Sequence, residues 1–140
     1  MRTLILGMGE VGKALGKVLS PFYDVQTKDI EDKEIIFPID IIHVCLRYTP
    51  DFHNIIIKYC QRYLPKIINI CSTVPVGTTR KFGIKAVHST TRGLHPNLDE
   101  GLKNITKHIG GINCQYIAEY FRMTGVNCLC HTKPETTELA

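Results

Sequence analysis

The 140-residue chain has no apolar run approaching the roughly 18 residues of a membrane span. Its first residues enter a strand pattern directly, without the build of a signal peptide. The chain is therefore expected to be cytoplasmic and to have no membrane partner. Charge of one sign is scarce too: 17 Lys and Arg against 13 Asp and Glu leave a net +4. That bias suits a small phosphate-bearing ligand and is too weak and scattered to imply nucleic acid. Internal repeats, low-complexity tracts and linkers are lacking. What remains is ordinary for one globular domain, with 44% hydrophobic residues and enough chain to bury a core.

Six cysteines are present, but the secreted context that a disulfide framework needs is not. Cys45, Cys60, Cys71 and Cys114 lie in apolar runs and read as small buried hydrophobes. The "CLCH" cluster of Cys128, Cys130 and His131 lacks the two-residue spacer and second ligand pair of a zinc site. It is expected to be a strand with both cysteines on one face, and no metal ligand is assigned. No cysteine context marks a nucleophile, and no Ser–His–Asp arrangement emerges.

Short apolar runs alternate with longer amphipathic ones. "TLILG", "YDVQTKD", "IDIIHVCL", "KIINICS", "IKAVHS" and "NCLC" read as strands. Helical spacing runs through Val11, Leu15, Val18 and Leu19, and again through Phe52, Ile55, Ile56, Tyr59 and Tyr63. "VGTTRKFG" reads as a short helical turn and "CQYIAEYFRM" as amphipathic, while "EGLKNITKHIGG" is left without an element type. Thr132, three residues before Glu135 and with Pro134 between, has the spacing of a capping box that starts another helix. Repeated strand–helix–strand with continuous Val/Ile/Leu strands implies an α/β fold: a doubly wound, mostly parallel sheet of the Rossmann type, flanked by helices. Ligands in such sheets bind beyond the carboxyl ends of the strands.

"GMGEVG", Gly7 to Gly12, is a GxGxxG directly after a strand and at the opening of a helix. Gly7 permits the tight turn, Gly9 lets backbone approach a pyrophosphate, and Gly12 lets the helix lie close to the sheet. Asp29 ends the second strand about 20 residues on, where a carboxylate accepts the ribose hydroxyls and repels a 2′-phosphate. NAD is therefore expected rather than NADP, although Lys28 and Lys33 flank the acid. In "CSTVPVGTTR", Ser72 and Thr73 are expected to present two hydroxyls into the crevice, and Thr78 or Thr79 to cap the next short helix. Arg47 and Arg92 are candidate phosphate contacts or solvated cations, and His88 and His95 read as satisfied loop histidines rather than bases.

"GMGEVG", "KDIED" and above all "STVPVGTT" resemble the N-terminal domain of the UDP-glucose/GDP-mannose dehydrogenases. The resemblance runs over nearly the whole chain. It implies oxidation of a nucleotide-sugar C6 alcohol to a carboxylate with two NAD in succession, and a possible homodimer. It gives Thr73 a place beside the nicotinamide, positioning a catalytic water. The expected cofactor contacts are Gly7, Met8, Gly9, Glu10, Val11, Gly12, Asp29, Leu46, Arg47, Ser72 and Thr73. By the same resemblance residues 1–131 form the cofactor domain, and 132–140 begin a long interdomain helix bearing a catalytic lysine. The cysteine nucleophile would follow in a further domain, so the chain is expected to be inactive alone.

The sequence departs from that family at Thr90-Thr91-Arg92, where Pro-Glu-Arg or Pro-Glu-Phe is usual, and at "LRYTPDF". Two alternatives stand beside this reading: the cofactor domain of a hydroxyacid or prephenate dehydrogenase, and a non-catalytic nucleotide-binding module.

Overall fold

The computed structural model describes residues 1–29, 34–91 and 98–139. Seven strands form one sheet: β1 (Arg2–Leu6), β2 (Asp24–Lys28), β3 (Ile41–Val44), β4 (Ile67–Ile70), β5 (Ala86–Ser89), β6 (Lys107–Gly110) and β7 (Cys128–His131). Their order is β2-β1-β3-β4-β5-β6-β7, and every pairing is parallel except β5 with β6. The helices are α1 (Glu10–Leu19), α2 (Phe52–Tyr63), α3 (Leu98–Asn104), α4 (Cys114–Arg122) and α5 (Pro134–Glu138). Thr79–Phe82 form a 3-10 turn. The run "EGLKNITKHIGG", untyped in sequence, divides between the end of α3 and all of β6.

Strands β3, β4 and β5 are buried at every position, which accounts for their unbroken apolar sequences. Two clusters flank the sheet. Leu15, Val18, Leu19, Ile117 and Phe121 cover one face with Ile5, Ile41 and Val87; Phe52, Ile56, Cys60, Tyr63 and Phe82 cover the other with Leu6, Val44 and Ile70. Each fully buried side chain of this size stabilises the fold by about 1.5–3 kcal/mol. The apolar face of α2 differs from the expected one: Cys60 is buried and Ile55 is 38% exposed. The face follows Phe52, Ile56, Cys60 and Tyr63, spacings of four, four and three, so Ile55 turns outward.

Polar side chains also sit in this core. His43 and Asn69 are fully buried and hydrogen-bonded, His43 Nδ1 to Asn69 Nδ2 at 2.9 Å, with Asn69 Oδ1 accepting from Ser89 Oγ at 2.8 Å. Left unpaired, each such group would cost about 1–3 kcal/mol. The pairing is what makes them tolerable in central strands.

Helix α5 starts differently from the expectation. Its N-cap is Lys133, not Thr132, and no side chain caps it. Pro134 does open the helix. Glu135 reaches Arg80 instead, Nε donating at 2.9 Å and Nη2 at 2.5 Å. A two-point guanidinium contact displaces the weaker back-bond of a capping box. No helix among the described residues is long and apolar enough to cross a membrane.

Candidate functional site

The chain leaves β1 for β2 on one side of it and returns to β3 on the other. The order therefore reverses between β1 and β3, and a crevice opens beyond their carboxyl ends. The glycine run forms its lip. Gly7 has φ +91°, and a Cβ there would stand 2.7 Å from the Cys45 carbonyl oxygen. A Cβ on Gly12 would stand 1.9 Å from the Gly7 oxygen, so α1 lies directly on the turn that precedes it. Gly9 is different, because a Cβ there meets nothing within 4 Å. It is also the N-cap of α1 and offers no capping side chain. The first-turn N–H groups of α1, which no helical carbonyl can reach, thus border open space.

That space is a cleft of about 380 Å³, lined by Gly9, Glu10 and Val11, by Cys45 to Tyr48 after β3, by Cys71 to Thr73 after β4, and by Thr90 and Thr91 after β5. A second cavity of about 260 Å³ adjoins it, with Leu46 and Arg47 lining both. Asp29 lines this second cavity with Lys28, Phe52, Ile55 and Tyr59. The expected residues therefore gather around two connected spaces, one beside Thr73 and one beside Asp29. Gly7, Met8 and Gly12 are absent from both linings: the two glycines shape the turn behind the lip, and Met8 is half-buried against the core cluster. Arg92, His95 and Lys33 lie outside the described residues.

The "STVPVGTT" turn is held more tightly than sequence suggests. Ser72 is buried, its hydroxyl donating to the carbonyls of Leu46 and Val44. It ties the ends of β4 and β3 together, so of the two expected hydroxyls only Thr73 is exposed to the cleft. Thr78 stands at the N-cap of the 3-10 turn, as expected, but its Oγ1 donates back to the Pro75 carbonyl at 2.6 Å and no side chain makes a capping bond. Glu138 of α5 supplies the anion instead: its carboxylate accepts from Gly77 N, Thr79 N and Thr79 Oγ1, all at 2.9 Å. Glu138 is 59 residues from Thr79, and no local sequence signal announces the pairing.

His88 is a strand residue in β5, 1% exposed, with Nε2 donating to the Ser72 carbonyl at 3.0 Å and Nδ1 2.9 Å from Thr137 Oγ1. Burial pushes its pKa down, against the opposing pull of the Ser72 carbonyl. Both ring nitrogens are occupied, so His88 is a support for the turn rather than a base. Thr90 supplies the contrast: its hydroxyl is buried at the cleft and has no partner among the described residues. A buried hydroxyl without a partner calls for a ligand or water group beside it. Among the described residues no cluster of three or more His, Cys, Asp or Glu is placed to hold a metal ion. His108 and His131 do approach, Nδ1 to Nε2 at 2.9 Å, across the β6–β7 edge.

No protein-family model matches the chain, and no curated protein matches it in sequence. Solved structures do. The UDP-D-ManNAc dehydrogenase of Pyrococcus horikoshii superposes with a TM-score of 0.80 over 99% of this chain and 48% of its own, at 19% identity. The UDP-N-acetyl-mannosamine dehydrogenase of Staphylococcus aureus gives 0.82 over 99% and 49%, at 15% identity. A 3-hydroxyacyl-CoA dehydrogenase of Archaeoglobus fulgidus gives 0.69 over 95% and 57%, at 11% identity. The fold is thus that of the Rossmann-type domains of dehydrogenases, nucleotide-sugar dehydrogenases among them. The chain spans about half the length of the structures it matches.

Proposed function

We propose that the chain is the NAD-binding domain of a nucleotide-sugar dehydrogenase of the UDP-glucose/GDP-mannose type. The observation that carries this reading is the open lip at Gly9. A helix N-terminus without a side-chain cap faces a cleft that continues into the cavity of Asp29. A dinucleotide laid across the lip has its pyrophosphate at α1, its adenosine ribose at Asp29 and its nicotinamide in the larger cleft beside Thr73. Thr90 and Thr91 offer hydroxyls to the same end. The TM-scores favour the nucleotide-sugar enzymes over the hydroxyacyl-CoA enzyme, 0.80 and 0.82 against 0.69. "STVPVGTT" points the same way.

The division into residues 1–131 as cofactor domain and 132–140 as the start of an interdomain helix belongs to this proposal, as do a cytoplasmic location and a homodimer. The half-length match supports it. Dehydrogenation itself needs a base held at the alcohol and, for the second oxidation, a thiolate that traps the aldehyde. Both belong to the remaining half of such enzymes. Thr73 orients a water in this scheme and does not act as the base.

Asp29 sets the cofactor choice in this reading, and an opposing feature lies close by. Lys28, Lys58 and Arg62 line an adjoining cavity of about 370 Å³. Calorimetric titration should give tighter binding of NAD(H) than of NADP(H), and Asp29→Ala should narrow the gap by relieving repulsion while leaving those cations in place. Equal or tighter NADP(H) binding by the unaltered chain would sink the assignment of Asp29.

A further inference from the structure

The floor of the larger cleft holds two thiols that cofactor binding leaves unused. Cys45 and Cys71 each stand one residue beyond a strand, β3 and β4, and the parallel register pairs Val44 with Ile70. The cysteines are therefore the next neighbours in register. Both line the cleft, and both pack on the same core cluster. Adjacent strands lie about 4.7–4.9 Å apart, within the Cα separation of about 4.4–6.8 Å over which a disulfide closes.

The surroundings are unusual for a pair of structural thiols. Cys71 Sγ lies 3.8 Å from the Asn69 carbonyl and 3.9 Å from Ser89 Oγ. Lys107 is 3% exposed, its Nζ donating to the Thr90 carbonyl at 2.9 Å and lying 5.1 Å from the centre of the Phe121 ring. No carboxylate pairs with it among the described residues. A buried ammonium without an anion is costly. Burial lowers the Lys107 pKa, and of the groups that act against this the Cys71 sulfur is the foremost. Cys71 is correspondingly held well below the usual thiol range, first by the neighbouring Cys45 thiol, then by His43 and Lys107. Cys45 is held well above that range, first by Cys71 and then by burial. Cys71 is buried as expected and Cys45 half-buried, and both stand one residue past their strands, at the cleft.

We propose that Cys45 and Cys71 form a dithiol site in the cleft that exchanges with small disulfides. The Cys71 thiolate attacks one sulfur of R–S–S–R, and the other sulfur leaves as RS⁻ and takes a proton. With Cys71 capped, the negative charge beside Cys45 is gone. Cys45 loses its own proton, attacks the Cys71 sulfur and expels the second RS⁻, which is protonated in turn. Two protein thiols are oxidised to one disulfide, and one R–S–S–R is reduced to two RSH. The other close pair, Cys114 with Cys130, provides the comparison. Cys130 is pushed up to about 12 by burial first and then by Cys114, and neither residue lines the cleft.

The test uses the whole reduced chain with oxidised glutathione at neutral pH, followed by maleimide capping and non-reducing peptide mapping. A Cys45–Cys71 link, lighter by two hydrogens, should form roughly tenfold faster than a Cys114–Cys130 link, following thiolate fraction and access. Cys45→Ser should replace the link with a stable glutathione adduct at Cys71. Cys71→Ser should leave Cys45 slow to react, with circular dichroism confirming that both variants fold. Maleimide on both Cys45 and Cys71 after full exposure, or earlier linkage elsewhere, overturns the proposal. Saturating NADH should slow the link. A link that forms at an unchanged rate in NADH upholds the dithiol and counts against the cofactor site alone.

Discussion

Three glycines near the lip of the cleft separate folding from binding. At Gly12 an added Cβ would stand 1.9 Å from the Gly7 carbonyl oxygen and 3.0 Å from its carbon, both backbone atoms that no rotamer change can move. Overpacking of this kind costs about 1–3 kcal/mol, and an unyielding backbone contact belongs at the upper end. Alanine returns about 1 kcal/mol of helix propensity relative to glycine. Gly12→Ala should therefore destabilise by about 2 kcal/mol net. At Gly16 the nearest atom would be Ile5 Cδ1 at 3.8 Å, an ordinary contact. Gly16→Ala should keep the propensity gain and stabilise by about 1 kcal/mol. At Gly9 the space is open and φ is −75°, which any residue adopts. Gly9→Val should alter stability by no more than about 1 kcal/mol, the range of N-cap effects, yet remove NAD(H) binding by standing in the path of the pyrophosphate. Urea unfolding of the three variants, with titration calorimetry on Gly9→Val, reads all of these. A Gly12→Ala chain as stable as Gly16→Ala would refute the packing argument. A Gly9→Val chain that binds NADH normally would refute the placement of the pyrophosphate.

Other expectations follow from the supports of the cleft. His88 has a lowered folded pKa, so the unfolded chain binds the extra proton first. Its contribution is complete above the unfolded value of about 6.5 and is lost as pH falls from there toward the folded value. Urea midpoints measured downward from neutral pH should decline more steeply for the unaltered chain than for His88→Gln; equal slopes would remove His88 as the cause. Glu138→Ala removes three hydrogen bonds to a carboxylate and should destabilise by about 2 kcal/mol, with earlier amide exchange at Gly77 and Thr79; unchanged exchange there would mean that the carboxylate does not hold the turn. With a panel of UDP- and GDP-sugars the chain should form no NADH above the no-protein control, and steady turnover would overturn the assignment of the chemistry to the other half of the proposed enzyme.

The parts of the fold fixed by local patterning were readable in the sequence. β1, the glycine turn and α1 are contiguous, and their signals, a buried run followed by GxGxxG and 3.6-residue spacing, each demand the same geometry. Central strands announced themselves by their apolar continuity. Reading faltered where a partner distant in sequence decides the matter. Glu135 leaves its expected capping box for Arg80, and Thr79 receives Glu138 rather than capping its own turn. Ser72 turns inward because the carbonyls of Val44, in β3, and Leu46, two residues beyond it, lie beside it, a fact of strand neighbours that a single strand cannot carry. β6 was hidden because it is four residues long and pairs antiparallel with β5, outside the strand–helix–strand rhythm. Lys107 and the thiol pair belong to the same class: antiparallel β6 starts at the end of the sheet where β3 and β4, beyond the intervening β5, finish.

Amide chemical-shift mapping of the isotopically labelled chain during titration with NAD reads the central claim residue by residue. The account predicts saturable shifts at Gly9 and Val11, at Leu46 and Thr73, and at Asp29, with Leu129 and Met123 unmoved. Shifts absent from the glycine turn at saturating NAD, or centred on β7 instead, would contradict it.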